Sequence, residues 1–333
     1  VKEASVPIVV TGSIATDHLM HFPGKFTDSL LPDQLDRVSL SFLVDDLVVR
    51  RGGVAANICF GMGLLGVGPV LLDAVGADFD GYASWLTRHG VDCSHVHVFK
   101  EVQTARFVCT TDDAMNQIGS FYAGAMSRAR EIEIGPVADK ISSIDLVMVS
   151  AGDPDAMVRH AQECRQRGFR FAADPSQQLA RMEGADAAKL VDGAEFFFSN
   201  DYELGLLLSK TGWTDADLLA RVGHRVTTLG SKGVEIVAAD GSRLHVPVVP
   251  EHVKVDPTGV GDAFRAGFVS GQFRGLNFER SAQLGSLMAT LVLETMGTQE
   301  YLFETEAAMT RITSCYGPEA AQEIAAAMAF ATA

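Results

Sequence analysis

The sequence predicts an α/β protein built on a mostly parallel sheet, and three observations carry that expectation. Between Leu146 and Ala238, short apolar stretches of strand character alternate with helical stretches. Val6 to Thr11 (VPIVVT) is a β-branched run that stops at Gly12-Ser13, as a buried first strand of such a sheet does. Two polar/apolar stretches, Val38–Val49 and Thr104–Thr111, interrupt the rhythm and are assigned to a small β flap beside the main sheet.

Composition narrows the function classes. Among 333 residues, hydrophobic ones make up 47%, enough for a sizeable core. Asp and Glu total 42 against 27 Lys and Arg, a formal charge of −15, and no basic cluster interrupts it. No nucleic-acid partner is therefore expected. The five cysteines are scattered without a C-x-x-C pair, which is reduced, cytosolic usage. The longest apolar run, Ile58–Leu72, is glycine-rich, contains Pro69 and is too short to span a bilayer. Val1–Ser5 shows no signal-peptide pattern. The expectation is a cytoplasmic protein with no membrane partner.

In chain order, Ser13, Asp17 and His18 follow the first strand, at the end of a parallel sheet where ligands collect. Phe22–Leu35 reads as loop, with Pro23-Gly24 and Pro32-Asp33. Arg51-Gly52-Gly53-Val54-Ala55-Ala56-Asn57 precedes a small-residue helix expected over Ile58–Leu65. His95 and His97 alternate with valines as on one face of a strand, a structural or surface pattern. Further strands are predicted at Leu146–Ser150, Arg170–Ala173, Phe196–Phe198, Arg225–Thr228 and Val234–Ala238. Helices fall at Pro154–Arg167, Gly184–Val191, Asp201–Lys210 and Asp215–Ala220. Ser281–Leu293 carries a core-facing apolar stripe, and Pro318–Ala333 reads as a closing helix. No repeat or linker divides the chain, so one domain over 1–333 is expected.

Chemistry concentrates at Asp256-Pro257-Thr258-Gly259-Val260-Gly261-Asp262. A glycine turn feeding a helix leaves backbone N–H groups pointing one way, an anion site. Asp262 is out of place beside a bound phosphate unless it takes a proton from an attacking hydroxyl. A plain N-cap aspartate is the alternative reading. Asn200 and Glu203, three apart at a helix start, can hold a hydrated Mg²⁺ through its waters or form a capping box. Thr228-Leu229-Gly230-Ser231-Lys232-Gly233 is either a hairpin turn or a close approach for nucleotide phosphates and ribose.

In order and combination these stretches resemble the ribokinase-like (phosphofructokinase-B type, PfkB) family of carbohydrate and nucleoside kinases. One signature corresponds to Gly52–Asn57, the other to Asp256–Gly267, and the likeness covers almost the whole chain. It implies a three-layer α/β/α sandwich with a small β-sheet lid, formed by inserted segments at about 15–51 and 102–124. It also implies that Asp262 is the base and that Gly259, Val260 and Gly261 supply the anion hole. Asn200, Thr228, Gly230, Gly233 and Thr258 would then bind ATP. Asn200 and Glu203 would organise Mg²⁺, and Asp256, with the loop around Gly297, a monovalent cation such as K⁺. Pro257 stands where Thr is common in the family.

Substrate choice rests on fewer residues. Asp17 can accept hydrogen bonds from vicinal hydroxyls, and the resemblance implies that Ser13, Gly53 and Asn57 bind the substrate with it. Phe107 and Phe121 can sandwich a flat base, although two phenylalanines also suit a core. Gln177 and Gln178 carry amides able to read a base edge. The wording of these stretches most closely resembles adenosine kinases of actinobacterial type. The implied reaction is phosphoryl transfer from ATP to the 5′-hydroxyl of adenosine, with a homodimer formed through the lid. Another nucleoside or a sugar as acceptor, or an idle nucleotide-binding regulator, are the alternatives.

Overall fold

The computed structural model describes residues 7–29, 40–141 and 143–329. The first half runs β1 (Ile8–Thr11), β2 (Ala15–Phe22), α1 (Phe26–Ser29), β3 (Asp46–Gly52), α2 (Val54–Leu64), β4 (Val70–Leu72) and β5 (Ala74–Gly76). It continues with α3 (Asp80–Arg88), β6 (His97–Phe99), β7 (Ala105–Asp112), β8 (Gln117–Tyr122), α4 (Gly135–Ile141), β9 (Leu146–Val149) and α5 (Pro154–Arg167). The second half comprises β10 (Phe171–Ala173), α6 (Gly184–Val191), β11 (Phe196–Asn200), α7 (Asp201–Thr211), α8 (Asp215–Leu219), β12 (His224–Thr228), β13 (Val234–Ala238) and β14 (Arg243–Val246). Four helices close it: α9 (Val260–Phe273), α10 (Phe278–Leu293), α11 (Thr305–Tyr316) and α12 (Pro318–Ala329).

The main sheet has the order β14-β13-β12-β11-β10-β9-β1-β4. It is parallel from β4 to β12; β13 runs antiparallel to both of its neighbours, so β14 again points the way β12 does. Both faces are buried because its strands are apolar at successive positions rather than alternately. Ile8 and Val10 of β1 enter one core with α2, α9, α10 and α12, whereas Val9 enters the other with α5 and α6. Phe196, Phe197 and Phe198 repeat this pattern on β11, all three fully buried. Each such side chain contributes about 1.5–3 kcal/mol of burial. This is the expected three-layer α/β/α sandwich of ribokinase-like form.

The small sheet has the order β3-β2-β7-β8 and draws its strands from the two segments expected to insert it. In register, Asp17 pairs with Phe107 and Phe107 with Phe121, so these three side chains share one face. Leu47, Met20, Thr110 and Ile118 form a rung on the opposite face.

Several local expectations need correction. Ala15–Phe22, for which no strand is anticipated, is a strand whose Asp17 lines a cleft. The flap strand anticipated at Val38–Val49 begins only at Asp46 and runs on into Gly52; residues 38 and 39, and Leu30–Leu35 of the expected loop, lie outside the described residues. Val6 and 330–333 lie outside them as well. Helix α2 starts at Val54, not Ile58, so Asn57 sits inside its first turn. The apolar run after it contains strand β4, and of the two histidines only His97 is in a strand.

Helices α9 and α10 cross at two glycines. A Cβ on Gly267 would lie 2.7 Å from the Cα of Gly285, and one on Gly285 would lie 2.8 Å from the carbonyl of Phe264. Because both obstacles are backbone, neither helix can yield without separating. Gly267→Val is expected to destabilise the protein by about 1–3 kcal/mol. Urea unfolding checks this, and an unchanged midpoint would contradict such tight packing.

Candidate active site

The carboxyl ends of β1, β11 and β12 and the amino end of α9 surround a cleft of about 460 Å³. Helix α9 begins there because Gly259 adopts φ 78°, ψ 0°, a left-handed turn that releases the chain into the helix. A side chain at 259 would also strike Thr298, whose Cγ2 lies 2.9 Å from the position of a Cβ. No side chain caps the first turn of α9; the Val260 N–H reaches the Pro257 carbonyl at 3.5 Å, and the next N–H groups stay available to an anion. The expected anion turn is thus built by sterics as well as by sequence.

Asp262, in the first turn of α9, is half-buried at the cleft floor. Its Oδ2 accepts a hydrogen bond of 2.8 Å from the Asn57 amide. Asn57 cannot turn that amide round, because its Oδ1 accepts from the Thr298 hydroxyl and the Gln299 amide, each at 2.9 Å. Gln299 in turn donates to the Tyr82 hydroxyl, and Tyr82 donates to the Gly52 carbonyl at 2.8 Å. Burial pushes the Asp262 carboxyl up to about 6; the Asn57 hydrogen bond and the charge of Arg265 restrain the rise, and Glu203 adds to it. A carboxylate poised near neutrality is suited to general base work.

Other expected residues converge on the same space. Asp17, Gly53, Gln177, Gln178, Asn200 and Glu203 line the cleft together with Thr228, Thr258 and Gly261. Ser13 lines it too, while its Oγ accepts the Val54 N–H at 3.0 Å and so caps α2 from across the chain. Gly53 (φ 95°) allows this approach, since a Cβ there would lie 2.5 Å from the Ser13 carbonyl. Burial, with the nearby charge of Asp256, raises the Asp17 carboxyl above its ordinary value. Asn200 and Glu203 do form a capping box: Glu203 N–H donates to Asn200 Oδ1 at 2.7 Å and Asn200 N–H donates to Glu203 Oε2 at 2.8 Å. Each bond uses one oxygen, and both residues still border the cleft.

A second, mostly apolar cleft of about 400 Å³ adjoins the first, sharing Thr228 and Gly261. Gly230, Gly233 and Val260 line it with Phe264, Ala289 and Leu293. The Thr228–Gly233 stretch is the expected turn joining β12 to antiparallel β13, and it also walls this cleft. Two expected residues stand apart. Phe107 is not among the cleft-lining residues; its ring lies against Gly119, and Phe121 beside it on the rung reaches the cleft. Asp256 lines neither cleft, and its two oxygens accept the N–H groups of Thr258 at 2.9 Å and Gly297 at 3.1 Å. Burial works against its charge, yet these bonds and Arg50 hold the Asp256 carboxyl below its ordinary value.

Sequence reading missed Thr298 and Gln299, which lie more than two hundred positions from Asn57. It also missed Arg265 and Asp174, a buried pair at the cleft floor. The available signal was an arginine in the middle of an otherwise apolar helix face, Ala263 to Phe268.

The pfkB family carbohydrate kinase model matches residues 14–305. The chain belongs to that family. Among its relatives, the "Nucleoside kinase" of Methanothermobacter thermautotrophicus is 29% identical over 316 residues, 94% of this chain and 97% of the relative. The "Nucleoside kinase" of Methanocaldococcus jannaschii is 30% identical over 253 residues, 75% of this chain and 82% of the relative. Among solved structures, Burkholderia thailandensis nucleoside kinase in complex with inosine superposes with a TM-score of 0.80 at 32% identity, covering 93% of this chain and 98% of that one. The same enzyme in complex with ADP-inosine gives 0.78 at 33% identity, covering 93% and 96%. Family membership makes this chain a phosphotransferase of the ATP-using kinases. These relatives are described as nucleoside kinases at large, and none of them singles out adenosine.

The raised Asp262 value has a consequence for stability. A carboxyl whose folded value exceeds its unfolded value opposes folding once ionised, and this penalty disappears on acidification. Asp262→Asn is therefore expected to raise Tm above pH 6, and the gain should vanish below pH 4. Thermal unfolding across that range checks it; an equal effect at both ends would contradict the buried charge.

Proposed function

We propose that this protein is an ATP-dependent nucleoside kinase that phosphorylates the 5′-hydroxyl of purine nucleosides, adenosine among them rather than alone. The observation that carries this reading is the position of Asp262 on the polar cleft, next to Gly261, which both clefts share, at an uncapped helix N-terminus. The polar cleft, with Asp17, Gln177, Gln178 and Phe121, suits a ribose and a base. The apolar cleft, with Phe264, Ala289 and Leu293, suits the flat adenine of ATP. The inosine and ADP-inosine complexes of the Burkholderia relative support a nucleoside acceptor over a free sugar.

In this reading Asp262 removes the proton from the 5′-hydroxyl as its oxygen attacks the γ-phosphorus. The bond between that phosphorus and the bridging oxygen breaks, and ADP departs with the electron pair. The N–H groups from Gly259 to Gly261 receive the charge that builds on the transferred oxygens. Mg²⁺, when bound with ATP, neutralises phosphate charge. Asn200 and Glu203 fit its hydrated form, because each retains oxygen lone pairs beyond the capping box. Asp256 and the Gly297 loop offer an ionised carboxylate to K⁺. The small sheet acts as a lid that excludes water as a competing acceptor.

The panel that tests this reading is adenosine, inosine, guanosine, ribose and fructose with ATP and Mg²⁺. Turnover on the nucleosides is expected, with kcat lowered about 10²–10⁴-fold by Asp262→Asn and KM little changed. Turnover on free sugars alone would overturn it.

The lid also offers a dimer surface. Leu47, Val49 and Ile118 are exposed on the face turned away from Asp17, and a second copy of this sheet would cover them. Sedimentation equilibrium should give a dimer that Ile118→Lys weakens; a monomer at all concentrations would refute the surface.

A further inference from the structure

Three carboxylates line the polar cleft, Asp17, Glu203 and Asp262, in a chain of formal charge −15. One lysine or arginine lines it among the described residues, Arg265. Its guanidinium is held from below by Asp174, which is fully buried: Nη2 donates to Oδ1 and Nε sits against Oδ2, each at 2.6 Å. One hydrogen bond and one close ion-pair contact thereby hold two of the three nitrogens against the carboxylate. The third, Nη1, has no protein hydrogen bond among the described residues and would lie 2.7 Å from a Cβ on Gly261. An ordinary arginine tip could swing away from such a contact; this one is locked, which gives glycine at 261 a second reason beyond the turn.

We propose that the Asp174–Arg265 pair is the electrostatic anchor of the site, with Asp174 as the clamp and Arg265 as a positioning residue. Arg265 places the one fixed positive charge of the cleft under the anion turn and keeps Asp262 in its carboxylate form. The proposal deepens the phosphotransfer reading and rests on it for its functional meaning. Burial works against the Arg265 charge, yet Asp174, Asp262 and Glu203 hold it above its ordinary value. Burial likewise pushes the Asp174 carboxyl up to about 7, a rise that Arg265 restrains at contact distance. The groups facing Asp262 are Asn57 from α2, Glu203 from α7, Tyr301 after α10, and Arg265 and Asp174 beneath it. Of these only Arg265 is cationic, so its removal leaves Asp262 among carboxylates and neutral dipoles.

The test reads Asp262 directly and without turnover: a ¹³C-carboxyl NMR titration of the ligand-free protein labelled at aspartate, with Asp262→Asn assigning the resonance. Wild type should titrate near pH 6. Asp174→Asn, which keeps the clamp's shape but frees the arginine charge, should lower the midpoint. Asp174→Asn with Arg265→Gln should raise it by about 1 unit. Opposite shifts are the signature of a charge acting on Asp262; a purely structural pair would produce no shift or two shifts of one sign, and either would overturn the proposal. Should the double variant fail to fold, the Asp174→Asn titration decides alone, an unmoved midpoint refuting the anchor. Failure of the nucleoside reading would appear separately, as a wild type that titrates as expected yet phosphorylates no nucleoside.

Discussion

A carboxylate half-buried at the floor of a cleft loses part of its solvation and is unstable unless its surroundings replace it. In this chain that carboxylate belongs to Asp262, and much of the architecture around the site answers its needs. Helix α2 brings the Asn57 amide, and Thr298 and Gln299 fix which end of that amide points at the acid. Tyr82 from α3 ties Gln299 to the backbone of the glycine pair. The result is partial compensation. Asp262 is stabilised enough to ionise around neutrality and destabilised enough to want a proton, the balance a general base requires.

The same logic explains why the glycines stand where they do. Gly53 lets the loop after β1 lie against the start of α2, which carries Asn57 into place. Gly259 turns the chain into α9 and makes room for Thr298. Neither position tolerates a side chain, for reasons of φ and of space together. Conformational freedom is here converted into precise placement of side chains that are remote in sequence.

How much of this could be read from the sequence depends on the range of the interaction. The turn at Thr258–Gly261 and the strand–helix alternation are local, and both were legible. So was the capping box at Asn200 and Glu203, since its partners are three residues apart. Strand β2 was obscured because Asp17, His18 and His21 break the apolar pattern where a strand borders a cleft. The contacts of Asn57 with Thr298 and Gln299 close a very long loop, and nothing local marks them. Arg265 was visible as an anomaly on an apolar helix face, but its partner Asp174 comes from another strand end and only the fold joins them. Phe107 and Phe121 were placed on one rung by their register, yet only Phe121 reaches the cleft, a distinction that depends on side-chain direction.

The account stands on one chemical event, transfer of a phosphoryl group to a primary hydroxyl beside Asp262. The most direct measurement is a proton-coupled ³¹P NMR spectrum of the products after incubation with ATP, Mg²⁺ and a purine nucleoside. A single new phosphomonoester resonance, split into a triplet by the two 5′ protons, is the predicted result. Inorganic phosphate alone, or a doublet from a ring-hydroxyl ester, would contradict it.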